Sequence, residues 1–209
     1  MDLYGYFRSS AAYRVRIALN IKGISYQQMA VNLVNGEQCS EQYLARNSQG
    51  LVPTLCTDDG VNLSQSTAIL EWLEESYPAP ALYPKDTMQR AKIRAVCNTV
   101  ACDIHPLNNL RVLKYLQSEL VVNDEQKHRW YRHWIEEGFA AIESSLVATP
   151  YAMGNNITMA DVYLVPQVFN ALRFNVDMAA FPKLLACYEA CNKLDAFVAA
   201  APANQPDAN

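Results

Sequence analysis

The sequence lacks any apolar run of about 18 residues, the length at which a helix begins to span a bilayer, so no membrane span is expected. No charged segment followed by an apolar core opens the chain, so no secretion signal is expected either. Basic charge is not in excess: 17 Lys and Arg stand against 21 Asp and Glu, a net of −4, which argues against a non-specific nucleic-acid binder. None of the six cysteines forms a C-x-x-C pair, so neither a zinc ribbon nor a dithiol redox motif is indicated, and no metal is expected. Cys187 and Cys191 lie one helical turn apart, but two ligands do not make a structural zinc site; buried free thiols in a reducing cytoplasm fit better. Repeats and low-complexity segments are also missing. What remains is a chain of 209 residues, enough for one large domain or two small ones with a real core.

Residues 1 to 80 alternate in type. Leu3 to Phe7 reads as a strand and Ser10 to Lys22 as a helix, with Tyr13, Ile17 and Ile21 on one face and Gly23 ending it. Ser25 to Val31 is a second strand. Asn35-Gly36 marks a turn, and Cys39 to Arg46 reads as a short helix closed by Asn47 to Gly50. Thr54 to Thr57 and Val61 to Leu63 flank Asp59-Gly60 as a hairpin, with Pro53 just ahead, where its missing N–H costs least. Thr67 to Tyr77 completes the set, burying Ile69, Leu70, Leu73 and Tyr77. The order predicts a small sheet covered by helices. Pro78, Pro80 and Pro84 mark the next stretch as a linker, 81–86. From Thr87 onward strand-like alternation is absent; helical spacing predicts helices near 87–120, 125–147, 158–172 and 182–200, with a kink at Pro106. Thr158 and Asp161 fit a capping box, which makes Asp161 a helix-start acid rather than a catalytic one. The tail from Pro202 to Asn209 is expected to be loose.

Arg8-Ser9-Ser10 sits where the first strand runs into the first helix. One serine can cap that helix and leave a second hydroxyl at the positive end of the helix dipole, where an anion such as a thiolate is favoured. A cap and a turn with no further role would look the same locally.

A strand–helix alternation followed by an all-helical part resembles the glutathione transferase family, and individual stretches narrow the resemblance. Arg8-Ser9-Ser10 followed by Tyr13-Arg14-Val15-Arg16-Ile17-Ala18-Leu19 is similar to the N-terminal signature of its zeta class, which includes maleylacetoacetate and maleylpyruvate isomerases. Gly50-Leu51-Val52-Pro53-Thr54-Leu55 resembles the family's loop with a cis proline, and Gln65-Ser66 its motif for the γ-glutamyl end of glutathione. Asp103 to Leu113, Val165 to Val168, Arg173 to Asp177 and the tail Gln205-Pro206-Asp207 resemble further zeta-class stretches. The class commonly carries cysteine where Ala11 stands here, so no mechanism needing a protein thiol at that position applies. The resemblance implies an α/β thioredoxin-like domain over 1–80 that binds glutathione and an all-α domain over 87–209 that binds substrate. It also implies a cytoplasmic homodimer without nucleic-acid or membrane partners.

It further implies a division of labour. Ser66 and Gln65 would take the γ-glutamyl carboxylate, and Val52 before Pro53 would pair with the cysteinyl backbone as an added strand does. Gln38 is a candidate for the glycine end, and Asn108 could donate to glutathione. A free thiol has a pKa of about 8.5, and each unit of lowering needs about 1.4 kcal/mol of preference for the anion. One or two hydrogen bonds from Ser9 and Ser10 would supply a unit or two, at about 1–1.5 kcal/mol each. The substrate would be a keto acid carrying carboxylates, met by the guanidinium groups of Arg8, Arg111 and Arg173. His105, just before Pro106, could polarise a keto oxygen or move a proton. Surface ion pairs for the arginines and a structural role for His105 are the plainer alternatives. The implied reaction is cis–trans isomerisation by reversible thiolate addition, with Arg8, Arg173 and His105 holding the developing oxyanion. Irreversible conjugation, displacement of halide from an α-halo acid, and a non-enzymatic interaction module stay open on the residues alone.

Overall fold

The computed structural model describes residues 1–208 and divides into two compact units: Met1–Ala81 together with the segment from Asn192 on, and Leu82–Cys191. In the first unit β1 (Asp2–Gly5), α1 (Ser10–Ile21), β2 (Gln27–Ala30), α2 (Glu41–Leu44), β3 (Thr54–Cys56), β4 (Asn62–Ser64) and α3 (Ser66–Ser76) follow in order. The four strands form one sheet in the order β2-β1-β3-β4, with β1 parallel to β2 and antiparallel to β3. Leu3 pairs with Leu55, and both are fully buried at the sheet's centre. This is the α/β part of the expected fold, with β2 and β3 shorter than expected, β1 starting one residue earlier and ending two earlier, and β4 shifted one residue on.

Helix α1 starts where its cap residue lies: Ser9 has extended backbone and its Oγ accepts from the Ala12 N–H at 3.2 Å. Every residue from Ser10 to Leu19 is buried, which requires neighbours on all sides. On one side stands Gly5, where an added Cβ would sit 3.1 Å from the Ala12 methyl; its absence lets the helix settle onto β1. Val15, Ile17 and Leu19, all without exposed surface, contribute about 1.5–3 kcal/mol each by leaving water.

The second unit is helical throughout: α4 (Thr87–Asn98), α5 (Leu110–Ser118), α6 (Asp124–Ser145), α7 (Met159–Arg173) and α8 (Pro182–Cys191). Asp86, Asn109 and Asn123 cap α4, α5 and α6 through their side chains. The single helix expected over 87–120 is instead broken. A wide π-turn, Thr99–Ile104, follows α4, and a 3-10 turn, Pro106–Asn108, follows that. The cause is Pro106. It donates nothing, and its ring would collide with a carbonyl one turn earlier in a continuous helix. The backbone widens ahead of it, with the His105 N–H reaching back to the Val100 carbonyl at 2.9 Å. At α7 the expected capping box is present: Asp161 accepts from the Thr158 N–H and Oγ1 at 2.8 and 3.0 Å, and also from the Ala152 N–H at 2.8 Å.

The helix expected over 182–200 is split into α8 and α9 (Asp195–Ala200), and α9 packs on α1 in the first unit. Asn20 Nδ2 donates to the Ala196 carbonyl and Arg16 Nε to the Ala200 carbonyl, at 3.0 and 2.9 Å. Residues 192 onward thus group with the first unit, not with the helical region in which sequence order alone put them. The tail is not loose either. Pro202–Asn204 forms a 3-10 turn, Gln205 is buried with Nε2 donating to the carbonyls of Ala199 and Ala201, and Asp207 Oδ2 accepts from the Phe7 N–H. Asn209, the last residue of that expectation, lies outside the described residues. Within the expected linker, Leu82 and Tyr83 are buried, and the Leu82 carbonyl accepts from the Met159 N–H at 2.9 Å. No helix among the described residues is long and apolar enough to cross a membrane.

Candidate functional site

Two helix N-termini in the first unit are joined by one arginine. Arg14 lies one turn into α1 and is 1 % exposed; its Nη1 reaches Ser66 Oγ at 3.4 Å, at the first position of α3. Ser66 is buried, and a cation stands behind a helix start that already carries partial positive charge. Gln65, just before it, has φ 68° and ψ 114°, a conformation that L side chains rarely adopt. Its Nε2 donates to Gln49 Oε1 at 2.7 Å, which ties the start of α3 to the loop before β3. That loop is fixed from below: the Leu51 carbonyl accepts from the Tyr43 hydroxyl and Asn47 Nδ2 at 2.7 and 2.8 Å. The Tyr43 hydroxyl also meets Thr54 Oγ1 at 2.9 Å, and burial pushes its pKa up, which keeps it a hydroxyl. The Val52–Pro53 peptide is cis. Among the described residues no hydrogen bond engages the Val52 N–H or C=O, so both are open to a partner. Gln38 borders this loop through Gly50, where an added Cβ would lie 3.2 Å from the Gln38 carbonyl. Gln38 Oε1 is buried and has no hydrogen-bond partner among the described residues.

At the start of α1 the two serines differ. Ser9 is the cap and half-buried: its Oγ accepts from Ala12, so its proton is left to donate outward. Ser10 is the first helical residue and is buried. Arg8 is exposed, its guanidinium 4.7 Å from the centre of the Phe7 ring. Ser9, Ser10, Gln38, Val52, Pro53, Gln65 and Ser66 therefore all lie in one unit, and a chain of contacts through Arg14, Gln49 and Gly50 links the two helix starts to the loop. A buried cation, open backbone groups and a helix start fit an anionic peptide such as glutathione, whose γ-glutamyl carboxylate needs fixed donors and whose middle residue needs a strand-like partner.

The other candidates belong to the second unit. Asn108 is buried, and its Nδ2 donates to the Tyr131 carbonyl at 3.1 Å, while its buried Oδ1 has no partner among the described residues. Tyr131 stacks on Phe174, ring centres 3.7 Å apart. Burial pushes the Tyr131 hydroxyl up to about 12, against a smaller pull downward from Arg173 beside it. Arg173 is exposed, with its guanidinium 4.7 Å from the centre of the Phe174 ring. Asn108 and Arg173 thus both contact Tyr131, one at its backbone carbonyl and the other at its hydroxyl. His105 is half-buried at the end of the π-turn, and Arg111 is exposed in the first turn of α5. Among the described residues no three His, Cys, Asp or Glu side chains are grouped to hold a metal ion.

Sequence reasoning missed Arg14, Arg16 and Tyr131 as contributors. The arginines carried a signal: two cations in an otherwise apolar helix, with no acid on the same helix to pair them. Tyr131 carried none, being one aromatic in a charged, aromatic stretch.

The comparisons with known proteins agree with this geometry. Residues 3–81 match the glutathione S-transferase N-terminal domain, and residues 109–202 match the C-terminal domain of the same family. A probable maleylacetoacetate isomerase of Vibrio cholerae is 50% identical over 210 residues, covering 99% of this chain and 97% of the relative. The holo structure of a maleyl pyruvate isomerase, a bacterial glutathione-S-transferase of the zeta class, superposes with a TM-score of 0.97 at 46% identity, over 100% of both chains. A maleylacetoacetate isomerase from Methylobacterium extorquens, with bound malonate and glutathione, gives a TM-score of 0.95 at 36% identity, again over 100% of both chains. With both domains matched and relatives this similar along the whole chain, the protein belongs to the zeta class of the glutathione S-transferase family.

Proposed function

We propose that this chain is a glutathione-dependent isomerase that converts a maleyl keto acid, maleylacetoacetate or maleylpyruvate, to its fumaryl isomer. The observation that carries the reading is the network joining the start of α1 to the start of α3 through Arg14 and Ser66, with the open Val52 backbone alongside. The names of the similar isomerases supply the substrate class. Bound glutathione supplies a sulfur nucleophile that adds to the cis double bond and leaves again after rotation about it.

The chain's own residues do the rest. Ser66, Gln65 and the first turn of α3 hold the γ-glutamyl carboxylate, with Arg14 beneath adding a desolvated positive charge. Val52 pairs with the cysteinyl backbone, and Gln38 serves the glycine end. Ser9 donates its hydroxyl proton toward the sulfur and so favours the thiolate; Ser10 supports the same helix start. Arg8, Arg111 and Arg173 are the carboxylate partners, Arg173 being held in orientation by Phe174 and Tyr131. His105 polarises the keto oxygen, and Asn108 is a further donor toward glutathione. The family resemblance supports a homodimer working in the cytoplasm.

The test is an ultraviolet assay of both maleyl substrates with and without glutathione, for the wild type, Ser9→Ala and Arg173→Ala. Glutathione-dependent cis-to-trans conversion, sharply reduced in both variants, is expected. Conversion that ignores glutathione sinks the borrowed-sulfur reading. No conversion of either substrate, beside clear glutathione binding, moves the assignment to conjugation or dehalogenation of small α-halo acids. Failure to bind glutathione at all leaves a non-enzymatic interaction module.

A further inference from the structure

Phe7 is the residue before Arg8 and two before the cap Ser9, and both of its backbone polar groups are held by side chains from elsewhere. Its N–H donates to Asp207 Oδ2 at 2.9 Å, across 200 residues of sequence. Its C=O accepts from Arg16 Nη2 at 3.0 Å. Inside the turn the Ser9 N–H donates to the Tyr6 carbonyl at 2.9 Å, which closes Tyr6 to Ser9 as a turn. The two grips on Phe7 add to the hold that α1 has on Ser9 through the Ala12 and Tyr13 N–H groups. The grips are themselves coupled. Arg16 also donates from Nε to the Ala200 carbonyl, and Gln205 fastens the chain beyond α9 to the carbonyls of Ala199 and Ala201. A closed path therefore runs from Phe7 to Arg16 and Ala200, along the chain that Gln205 ties to Ala199 and Ala201, and from Asp207 back to Phe7.

Asp207 has a feature that packing does not explain. Among the described residues its buried Oδ1 has no hydrogen-bond partner, a cost that an apolar side chain in the same place would avoid. The buried Arg16 guanidinium, close enough for its charge to be felt by Asp207, offsets that cost in part. A carboxylate kept there despite the cost has its return in the one bond it makes, to the residue that leads into Arg8 and Ser9.

We propose that Asp207 is a positioning residue for the Arg8–Ser9 turn, so that the C-terminal segment sets the aim of the hydroxyl that serves the glutathione sulfur. The inference rests on the reading of Ser9 given above. A catalytic group displaced by about 1 Å by a change outside the site can lose up to about 100-fold in rate. One hydrogen bond at a half-buried position is a small part of total stability, so the fold persists without it.

The experiment compares wild type, Ser9→Ala, Asp207→Ala and Asp207→Asn for kcat, for KM toward glutathione, and for the ultraviolet absorbance of the thiolate of bound glutathione. Asp207→Ala is expected to lower kcat about tenfold or more and to reduce the thiolate signal, with KM little changed because Ser66 and Val52 are untouched. Asp207→Asn keeps a carbonyl oxygen toward the Phe7 N–H and is expected to recover most of both. Wild-type kcat and thiolate signal in Asp207→Ala, beside an impaired Ser9→Ala, overturn the positioning role alone. An Asn variant as impaired as the Ala variant overturns it too, because charge rather than the acceptor would then be what matters. An unaffected Ser9→Ala overturns the reading of Ser9, and this proposal with it.

Discussion

Lys22 and Glu74 form an ion pair of 2.7 Å inside the first unit, the lysine side chain wholly buried and the glutamate nearly so. The same ammonium donates to the carbonyls of Tyr77 and Pro80 at 2.6 and 3.1 Å, so one side chain at the end of α1 fixes both the end of α3 and the chain that leaves it. Removing one partner of such a pair strands a buried charge. Glu74→Ala is expected to cost about 3–5 kcal/mol, and with it roughly 6–20 °C of melting temperature for a chain of this size. Replacing both partners with apolar residues, Lys22→Met with Glu74→Leu, is expected to recover much of the loss. Thermal melts of the three variants decide it; an unchanged melt in Glu74→Ala would mean that the two carbonyls suffice for the lysine.

Ser66→Ala separates binding from chemistry. A hydrogen bond to a charged group contributes about 1.5–3 kcal/mol, so KM toward glutathione should rise roughly 10- to 100-fold with kcat little changed. Ser9→Ala should do the reverse, lowering kcat with a smaller effect on KM. Steady-state kinetics with glutathione as the varied component read both, and identical profiles for the two serines would refute the division of roles.

Gly138 on α6 lies against Ile104 of the π-turn: a Cβ there would run into the Ile104 side chain. Gly138→Ala should therefore destabilise by about 1–3 kcal/mol through overpacking, although alanine is the better helix former. Because Ile104 directly precedes His105, the same change should lower isomerase activity at temperatures where the protein is still folded. A stabilised Gly138→Ala would show that the π-turn yields freely.

The six thiols should fall into distinct classes. Cys39 and Cys102 are exposed, Cys56 is half-buried, and Cys97, Cys187 and Cys191 are buried. Burial pushes the Cys187 thiol up to about 12 and that of Cys191 further in the same direction, with the Asp161 carboxylate adding to both. Alkylation at neutral pH followed by mass spectrometry should label Cys39 and Cys102 first. Cys187 and Cys191 should be labelled only in denaturant. Rapid labelling of Cys191 in the folded protein would contradict its packing against Asp161.

Much of this was legible in the residues because the signals were local. A serine at the strand–helix junction, a proline ahead of β3 and Thr158 with Asp161 each dictate a nearby geometry, and each appears where the sequence put it. The misses share a different origin. Pro106 announced a disturbance, but whether a helix kinks or breaks depends on what packs against it, here α6 with its close approach at Gly138. The tail of small and polar residues reads as loose because its partners, Phe7 and Arg16, stand at the opposite end of the chain. Arg14 and Arg16 were passed over because the burial of their helix on every side follows from the later arrival of α9, which no local pattern announces.

The grouping of α9 with the first unit has a consequence for how the protein is made. Helix α1 leaves the ribosome early, yet the helix that covers one of its faces is translated roughly 110 residues after the rest of that unit. At 5–20 residues per second this is a delay of roughly 5–20 s. During it the apolar flank of α1 lacks its cover and Arg16 lacks the Ala200 carbonyl, a natural point of engagement for holding chaperones and proteases. The portion of the chain synthesised first is the portion completed last.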